Sequence, residues 1–150
     1  MKYFSIKELT SSATAVRKGI DNTPTPTIRA ALTALVSNVL DPLRELYGKP
    51  IIVTSGYRCP KLNKAVGGAT NSQHTKGEAA DIRSVSDKYS DNKKLFELIK
   101  KSSLPFDQLI WEYGTDTGPD WIHVSFKEAG RRNILRAYKK AGKAYYVTIK

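Results

Sequence analysis

The sequence predicts an α+β fold with a small, mostly antiparallel sheet flanked by helices. Apolar residues recur at helical spacing in only two long stretches, at 28–46 and 91–101. Short runs rich in β-branched and aromatic residues occupy much of the remaining chain. Because helices and strands do not alternate regularly, this order favours an antiparallel sheet over a parallel βαβ arrangement.

The first long helix is predicted at 28–46, where apolar side chains recur at intervals of three and four. A polar stretch precedes it and offers Thr25 or Thr27 as the N-terminal cap. Gly48 is expected to end the helix. Pro42 lies inside this stretch, so we expect either a kink or a second helical start at that point.

The remaining predicted elements are short and are separated by turn residues. The last two strands are expected to form a hairpin, because a Lys-Ala-Gly-Lys turn lies between them. In chain order the predictions are a strand at 50–54, a helical turn at 60–65, a strand at 79–83, a helix at 91–101, and strands at 106–111, 121–126, 134–138 and 145–149.

Length and composition indicate a single domain over 1–150. The chain has 150 residues, of which 40% are hydrophobic and 26% charged, which is enough apolar material for one core and too much for a disordered chain. We find no repeat or low-complexity linker. The candidate functional motifs fall within a core of about 28–126, and a basic hairpin follows at 127–150.

The charge of the chain indicates an anionic partner. Lysine and arginine number 25 against 14 acidic residues, a formal net charge of +11. Residues 127–150 alone carry +7, with three tyrosines among the basic side chains. This segment is compatible with attraction to anionic cell-wall polymer or with a solvated face that protects an edge strand. Nucleic-acid binding through phosphate contacts and stacking ranks behind these two.

Two segments carry residues typical of a metal site. One decapeptide reads Ser-Gln-His-Thr-Lys-Gly-Glu-Ala-Ala-Asp, and a later tetrapeptide reads Asp-Trp-Ile-His. A catalytic zinc site takes three protein ligands from His, Asp or Glu and keeps a fourth position for water. His74, Asp81 and His123 could supply these ligands. Asp120, three residues before His123, could accept a proton from the bound water.

A second interpretation of the same residues needs no metal. His74 could lie in a surface loop, Asp81 could cap a turn, and His123 could be the polar-face residue of a half-buried strand. The single cysteine, Cys59, excludes a disulfide framework and a multi-cysteine zinc site. The residue pattern by itself leaves both interpretations open.

Three motifs together resemble the M15 family of zinc D-Ala-D-Ala carboxypeptidases, which also includes L-alanyl-D-glutamate endopeptidases used as phage endolysins. The motifs are Ser-Gly-Tyr-Arg at 55–58, Ser-x-His-x-x-Gly-x-Ala-x-Asp at 72–81 and Asp-Trp-x-His at 120–123. The resemblance covers about 40–126, and three motifs in the right order are much more specific than one. The fold that it implies, hedgehog/DD-peptidase-like with a small antiparallel sheet, agrees with the α+β prediction.

The resemblance also implies roles for individual residues. His74, Asp81 and His123 would hold one zinc ion, and Asp120 would be the general base. Other divalent metals also suit such ligands.

Three further residues are candidates around this site. By the resemblance, Arg58 would stabilise negative charge on the substrate and Ser72 would contact the substrate. Glu112 could accept a hydrogen bond from a histidine ligand, or could simply end an edge strand.

The expected function is zinc-dependent hydrolysis of peptidoglycan stem peptides that contain D-amino acids, as a carboxypeptidase or an endopeptidase. No run approaches the roughly 18 apolar residues of a membrane helix, and the N-terminus lacks the apolar region of a secretory signal. We expect a monomer of phage or prophage type. It would be made in the cytoplasm and would act at the wall after release or as a virion-associated protein. The alternative is a non-catalytic module that binds the cell wall or nucleic acid through 127–150.

Overall fold

The computed structural model describes residues 1–150 and contains a six-stranded sheet in the order β1-β2-β4-β3-β5-β6. The strands are β1 (Ile51–Ser55), β2 (Ala79–Ser84), β3 (Gln108–Glu112), β4 (Trp121–Ser125), β5 (Asn133–Lys140) and β6 (Lys143–Thr148). The helices are α1 (Ile6–Thr10), α2 (Ala13–Lys18), α3 (Pro26–Leu35), α4 (Asp41–Tyr47), α5 (Pro60–Ala65) and α6 (Tyr89–Lys101). The predicted elements are all present, with ends shifted by at most a couple of residues.

The sheet is mostly antiparallel, as predicted. Every neighbouring pair is antiparallel except β3 and β5, which are parallel. This exception follows from chain direction. Because β4 is antiparallel to β3, the end of β4 lies near the start of β3. A short connection at 126–132 then lets β5 begin beside Gln108, on the edge of β3 that β4 does not occupy. The hairpin of β5 and β6 therefore extends the sheet beyond β3.

The first long helix divides at the position expected from Pro42. The Thr25 hydroxyl caps α3 by accepting from the backbone N–H of Ile28 at 3.2 Å. A π-helical turn at Val36–Leu40 then joins α3 to α4, and Pro42 lies in the first turn of α4. Proline has no N–H to donate to the preceding turn, so the regular helical ladder is interrupted there. The interruption predicted at Pro42 is present as a π-helical turn, while the backbone stays helical from α3 into α4.

Helices α3, α4 and α6 bury the same face of the sheet. The core cluster joins leucines and valines of the first helical stretch to Leu95, Phe96 and Ile99 of α6 and to alternate residues of the strands. The Phe96 ring packs edge-on against Trp111 of β3 at 5.3 Å between centroids. Trp111 is therefore a core residue. None of the helices combines the length and the apolar character needed to cross a bilayer.

The C-terminal hairpin forms as predicted. Its strands are joined by Ala141 and Gly142, whose φ values are 51° and 77°. Two successive residues with positive φ make the tight turn whose twist matches that of paired strands. The pairing of β5 with β3 and the tight turn into β6 thus place this basic segment at one edge of the sheet.

Candidate metal centre

The sheet brings Asp81 and His123 side by side. Asp81 on β2 pairs directly with His123 on β4, which pairs in turn with Ile110 on β3. Residues paired across strands point to the same face of a sheet. Their chain neighbours Ile82 and Ile122 belong to the core on the opposite face. Asp81 and His123 therefore lie on the face that α3, α4 and α6 do not cover.

His74 reaches this face from a 3₁₀ turn at Gln73–Lys76, which ends at Gly77 with a φ of 71°. Its Nε2 lies 3.2 Å from Asp81 Oδ1, and His123 Nδ1 lies 3.4 Å from the same oxygen. One ligand atom from each of the three residues lies within 4.8 Å of the other two. All three side chains are buried, so the structure brings together the triad proposed from the sequence.

Hydrogen bonds determine which ring nitrogen of each histidine faces Asp81. His74 Nδ1 lies 2.7 Å from the carbonyl oxygen of Gly56, which can only accept, so Nδ1 donates and Nε2 keeps its lone pair. His123 Nε2 donates to Gln73 Oε1 at 3.1 Å, which leaves the lone pair on Nδ1. Both free nitrogens are the ones that approach the carboxylate.

Gln73 is oriented by Asp107, and neither residue was singled out from the sequence. Gln73 Nε2 donates to Asp107 Oδ2 at 2.7 Å, which directs the amide oxygen toward His123. Arg131 donates to the same carboxylate through its guanidinium at 2.9 and 2.8 Å and through its backbone N–H at 3.0 Å. These hydrogen bonds from Arg131 hold the pKa of Asp107 well below its usual range. The only sequence signal for Gln73 is its position next to His74.

The donor set fits a metal ion. One carboxylate and two imidazole lone pairs converge with no hydrogen-bond donor among them, an arrangement that a cation satisfies. Ligands of a tetrahedral zinc ion, about 2.0–2.1 Å from it, lie roughly 3.3 Å apart. The distances of 3.2 and 3.4 Å from Asp81 to the histidines are close to this value.

Comparison with known families agrees with this geometry. A family model described as Peptidase M15 matches residues 2–125. The chain belongs to the peptidase M15 family. A search of curated proteins finds no match. Family membership confirms the resemblance drawn from the three sequence motifs and identifies the protein as a metallopeptidase.

In this M15 peptidase, Glu112 lies on the same face of the sheet as the candidate metal cluster, the group formed by His74, Asp81 and His123. It lies two residues after Ile110, the partner of His123, and strand side chains alternate with a period of two. Since β3 lies between β4 and β5, the interpretation of Glu112 as the end of an edge strand is wrong. Both histidines direct their N–H groups elsewhere, so Glu112 does not accept from either.

The electrostatics of Glu112 also connect it to the cluster. Burial raises the pKa of Glu112 to about 7, and the His123 ring opposes this rise. The carboxylate of Asp81 raises the pKa further, whereas the guanidinium of Arg58 lowers it. Glu112 is therefore a buried carboxyl group that interacts with a histidine, a carboxylate and an arginine of the site.

Asp120 is not one of the three residues whose candidate ligand atoms lie together. Asp120 directly precedes β4, and its backbone N–H donates to the Glu112 carbonyl at 3.0 Å. Since Glu112 pairs with Trp121, both Asp120 and Trp121 lie opposite Glu112, and the regular alternation of β4 does not extend to Asp120. Its Oδ1 accepts from the Tyr89 hydroxyl at 3.0 Å, in an exposed position at the start of α6. The assignment of Asp120 as the general base stays a prediction.

Arg58 and Ser72 lie beside the site in different roles. Arg58 donates to Ser55 Oγ at 3.2 Å and to Asn63 Oδ1 at 3.1 Å. Burial lowers the pKa of Arg58, and the carboxylates of the site oppose this effect. The Ser72 hydroxyl accepts from the backbone N–H of His74 at 3.2 Å and so caps the turn that presents this histidine.

Proposed function

We propose that this M15 peptidase is a zinc enzyme that hydrolyses peptidoglycan stem peptides containing D-amino acids. The observation that carries the proposal is the convergence of His74 Nε2, His123 Nδ1 and Asp81 Oδ1 on one point, each histidine with its other nitrogen engaged. Histidines with a purely structural role do not need to direct a free ring nitrogen toward the same carboxylate oxygen. Metal ligands do, and they are typically held by an outer partner on the second nitrogen.

The three ligands would hold one zinc ion in a site that keeps a position open for substrate or water. When bound, zinc would polarise the scissile carbonyl and make a nearby water acidic enough to attack at neutral pH. Asp81 contributes one negative charge, and the two neutral histidines contribute none. This balance leaves net positive charge on the centre, as an electrophilic role requires.

We propose Glu112 as the residue that accepts the proton of the attacking water and returns it to the departing amine. Glu112 lies on the metal face and interacts electrostatically with residues of the site, whereas one oxygen of Asp120 is hydrogen-bonded to Tyr89 in an exposed position. A buried carboxyl group is also a stronger base than an exposed one, which favours proton transfer near neutral pH. The Asp-x-x-His spacing in the sequence is the observation that favours Asp120, and variants of the two residues distinguish them.

Arg58 would stabilise the negative charge that develops on the peptide oxygen. Its guanidinium is held by Ser55 and Asn63 and keeps further N–H groups for a ligand. A fixed cation aimed at developing charge is worth more in a buried site than in water, because it needs no reorganisation during the reaction. Substrate carboxylates are a second group that the same fork can bind.

Two cleavage sites on the stem peptide are compatible with this machinery. Removal of terminal D-Ala would make the protein a carboxypeptidase, and cleavage between L-Ala and D-Glu would make it an endopeptidase of the kind used by phage lysins. The excess of positive charge favours approach to the anionic wall in either case. We propose a phage or prophage role for the endopeptidase case.

Mass spectrometry of purified muropeptides, incubated with the protein plus zinc or plus a chelator, tests the proposal. Zinc-dependent release of free D-Ala would identify a carboxypeptidase. Fragments with a new D-Glu amino terminus would identify an endopeptidase. Intact muropeptides despite bound zinc would reject the peptidase and favour a non-catalytic module that binds through 127–150. Binding to DNA that weakens with salt and survives chelation would favour the nucleic-acid form of that module.

A further inference from the structure

The C-terminal hairpin of β5 and β6 lies outside the residues that the family model matches, yet it continues the face that carries the metal cluster. Glu112 on β3 pairs with Ala137 on β5, and Ala137 pairs with Tyr146 on β6. Since paired residues share a face, Glu112, Ala137 and Tyr146 form one row across the sheet.

Ala137, in the middle of this row, has a small side chain that leaves space for the Tyr146 side chain to extend toward Glu112. Ala137 is fully buried, although its own side chain is a single methyl group. Adjacent strands lie roughly 4.8 Å apart, so the backbones of Glu112 and Tyr146 are separated by about two such steps. A tyrosine side chain that lies over alanine extends across much of this distance. A Tyr146 ring laid over Ala137 would account for this burial and would point its hydroxyl toward the metal cluster.

The electrostatics of Tyr146 agree with this direction. Burial of its hydroxyl end raises the pKa of Tyr146, and the carboxylates of Glu112 and Asp81 raise it further. Asp81 is on β2, at the far side of β4, β3 and β5, so an outward-pointing hydroxyl would not interact with it. The phenol stays protonated at neutral pH and remains a hydrogen-bond donor, while half of the residue is exposed to an incoming ligand.

The neighbouring tyrosine points the other way. The Tyr145 ring stacks on Tyr138 at 5.2 Å between centroids and 17° between planes. Arg136 lies over both Tyr138 and Trp111, at 4.7 and 5.0 Å from the ring centroids, which places this group on the core side of the sheet. Tyr145 and Tyr146 therefore share the same strand, exposure and residue type but occupy opposite faces.

We infer that the C-terminal hairpin forms one wall of the substrate cleft and that the Tyr146 hydroxyl donates a hydrogen bond to a carbonyl oxygen of the bound peptide, beside the scissile bond. This inference rests on the proposed function, since it takes the substrate to be a stem peptide. Peptide carbonyl oxygens are hydrogen-bond acceptors. On the row of Glu112, strand β6 supplies Tyr146, and its hydroxyl is a donor. The contact binds substrate and is not a step in the chemistry.

The test compares Tyr146→Phe with Tyr145→Phe. In the zinc enzyme, Tyr146→Phe should raise KM for the stem peptide about five- to tenfold, the effect of one lost hydrogen bond, and should change kcat much less. Tyr145→Phe should leave both parameters unchanged. Zinc content and the melting temperature should match wild type in both variants, which excludes a merely structural effect.

A binding measurement separates this inference from the proposed reaction. Titration calorimetry with a synthetic stem pentapeptide and metal-free protein requires no turnover, and Tyr146→Phe should weaken the affinity by the same factor. Wild-type affinity in Tyr146→Phe, or equal weakening by Tyr145→Phe, would overturn the inference even if muropeptides are cleaved. Selective weakening without any cleavage by the zinc-loaded wild type would instead retain the contact and reject the peptidase reaction. Failure of wild type to bind the peptide would reject both.

Discussion

The Nε2 atom of His123 donates to Oε1 of Gln73 at 3.1 Å, and this single hydrogen bond determines which nitrogen of His123 faces Asp81. Gln73 is itself held by Asp107, so a chain of three side chains runs from the surface arginine Arg131 to the candidate metal ligand His123. Partners of this kind orient metal ligands, and their loss reduces metal affinity.

Gln73→Ala should therefore lower zinc affinity about 10- to 100-fold while the fold is retained. The His123 ring would lose the acceptor that keeps Nδ1 unprotonated and correctly directed. Competition with a chromophoric chelator measures the change. Lys76→Ala, an exposed position on the same turn, is the control and should bind zinc like wild type. Equal affinities in Gln73→Ala and wild type would show that Gln73 does not orient the ligand.

Glu112→Gln and Asp120→Asn distinguish the two candidate proton acceptors. We expect Glu112→Gln to lower kcat by about 10²–10⁴, the usual contribution of a general acid–base group, with zinc still bound. Asp120→Asn loses a carboxylate that contacts Tyr89, so kcat should stay within a few-fold of wild type. Steady-state hydrolysis of a muropeptide, with zinc content measured on the same samples, provides the comparison. The opposite ranking would restore Asp120 to the role that its spacing to His123 suggests.

The sequence predicts most of the fold because each main element has its own periodicity. Apolar spacing defines the long helices, and the β-branched runs define the strands. The short helices α1 and α2 were not predicted, since each has at most six residues and depends on local caps. Ser5 and Ser12 provide these caps by accepting from the N–H groups of Glu8 and Ala15. The parallel pairing of β3 and β5 is a long-range property that no local pattern encodes.

The candidate ligands were predictable, whereas the surrounding groups were not. His74, Asp81 and His123 lie in short motifs with fixed spacing, and these are visible in a single sequence. The contact that bears on the choice between Glu112 and Asp120, between Asp120 and Tyr89, joins residues that are 31 positions apart in the chain, so no local pattern shows it. Tyr146 belongs to a basic hairpin whose position is determined only when β5 pairs with β3.

Glu112→Gln should also stabilise the metal-free protein above neutral pH. The folded pKa of Glu112, about 7, is above its ordinary value of 4.5. The folded state therefore binds more protons than the unfolded state between these values, and the free energy of unfolding falls as the pH rises through this range. The cost of ionising the buried group is on the order of 3 kcal/mol, which glutamine avoids.

Thermal unfolding at pH 5 and pH 8, with a chelator present, measures this effect. The melting temperature of Glu112→Gln should exceed that of wild type by several degrees at pH 8 and by much less at pH 5. Glu128→Gln changes an exposed glutamate and should have no such pH-dependent effect. A uniform difference at both pH values would contradict the assignment to ionisation.

Asp107→Asn should destabilise the protein, because Asp107 is fully buried and accepts from Gln73 and from three N–H groups of Arg131. Loss of these charge-assisted hydrogen bonds should lower the free energy of unfolding by about 2–4 kcal/mol. Asp116→Asn removes a similar pair with Arg136, but the Asp116 side chain is 94% exposed, so the change should stay below about 1 kcal/mol. Urea denaturation at pH 7 compares the variants.

The pH dependence of stability provides a second measurement for the same pair. Arg131 holds the folded pKa of Asp107 well below the roughly 3.9 of an unfolded aspartate. The stabilisation is therefore present above about pH 4 and is lost as the pH falls toward the folded value, where the carboxylate becomes protonated. Wild type should lose stability steeply between pH 4 and pH 2, and Asp107→Asn should lose less over the same interval. Parallel acid profiles for the two proteins would mean that the Asp107–Arg131 pair does not contribute to acid denaturation.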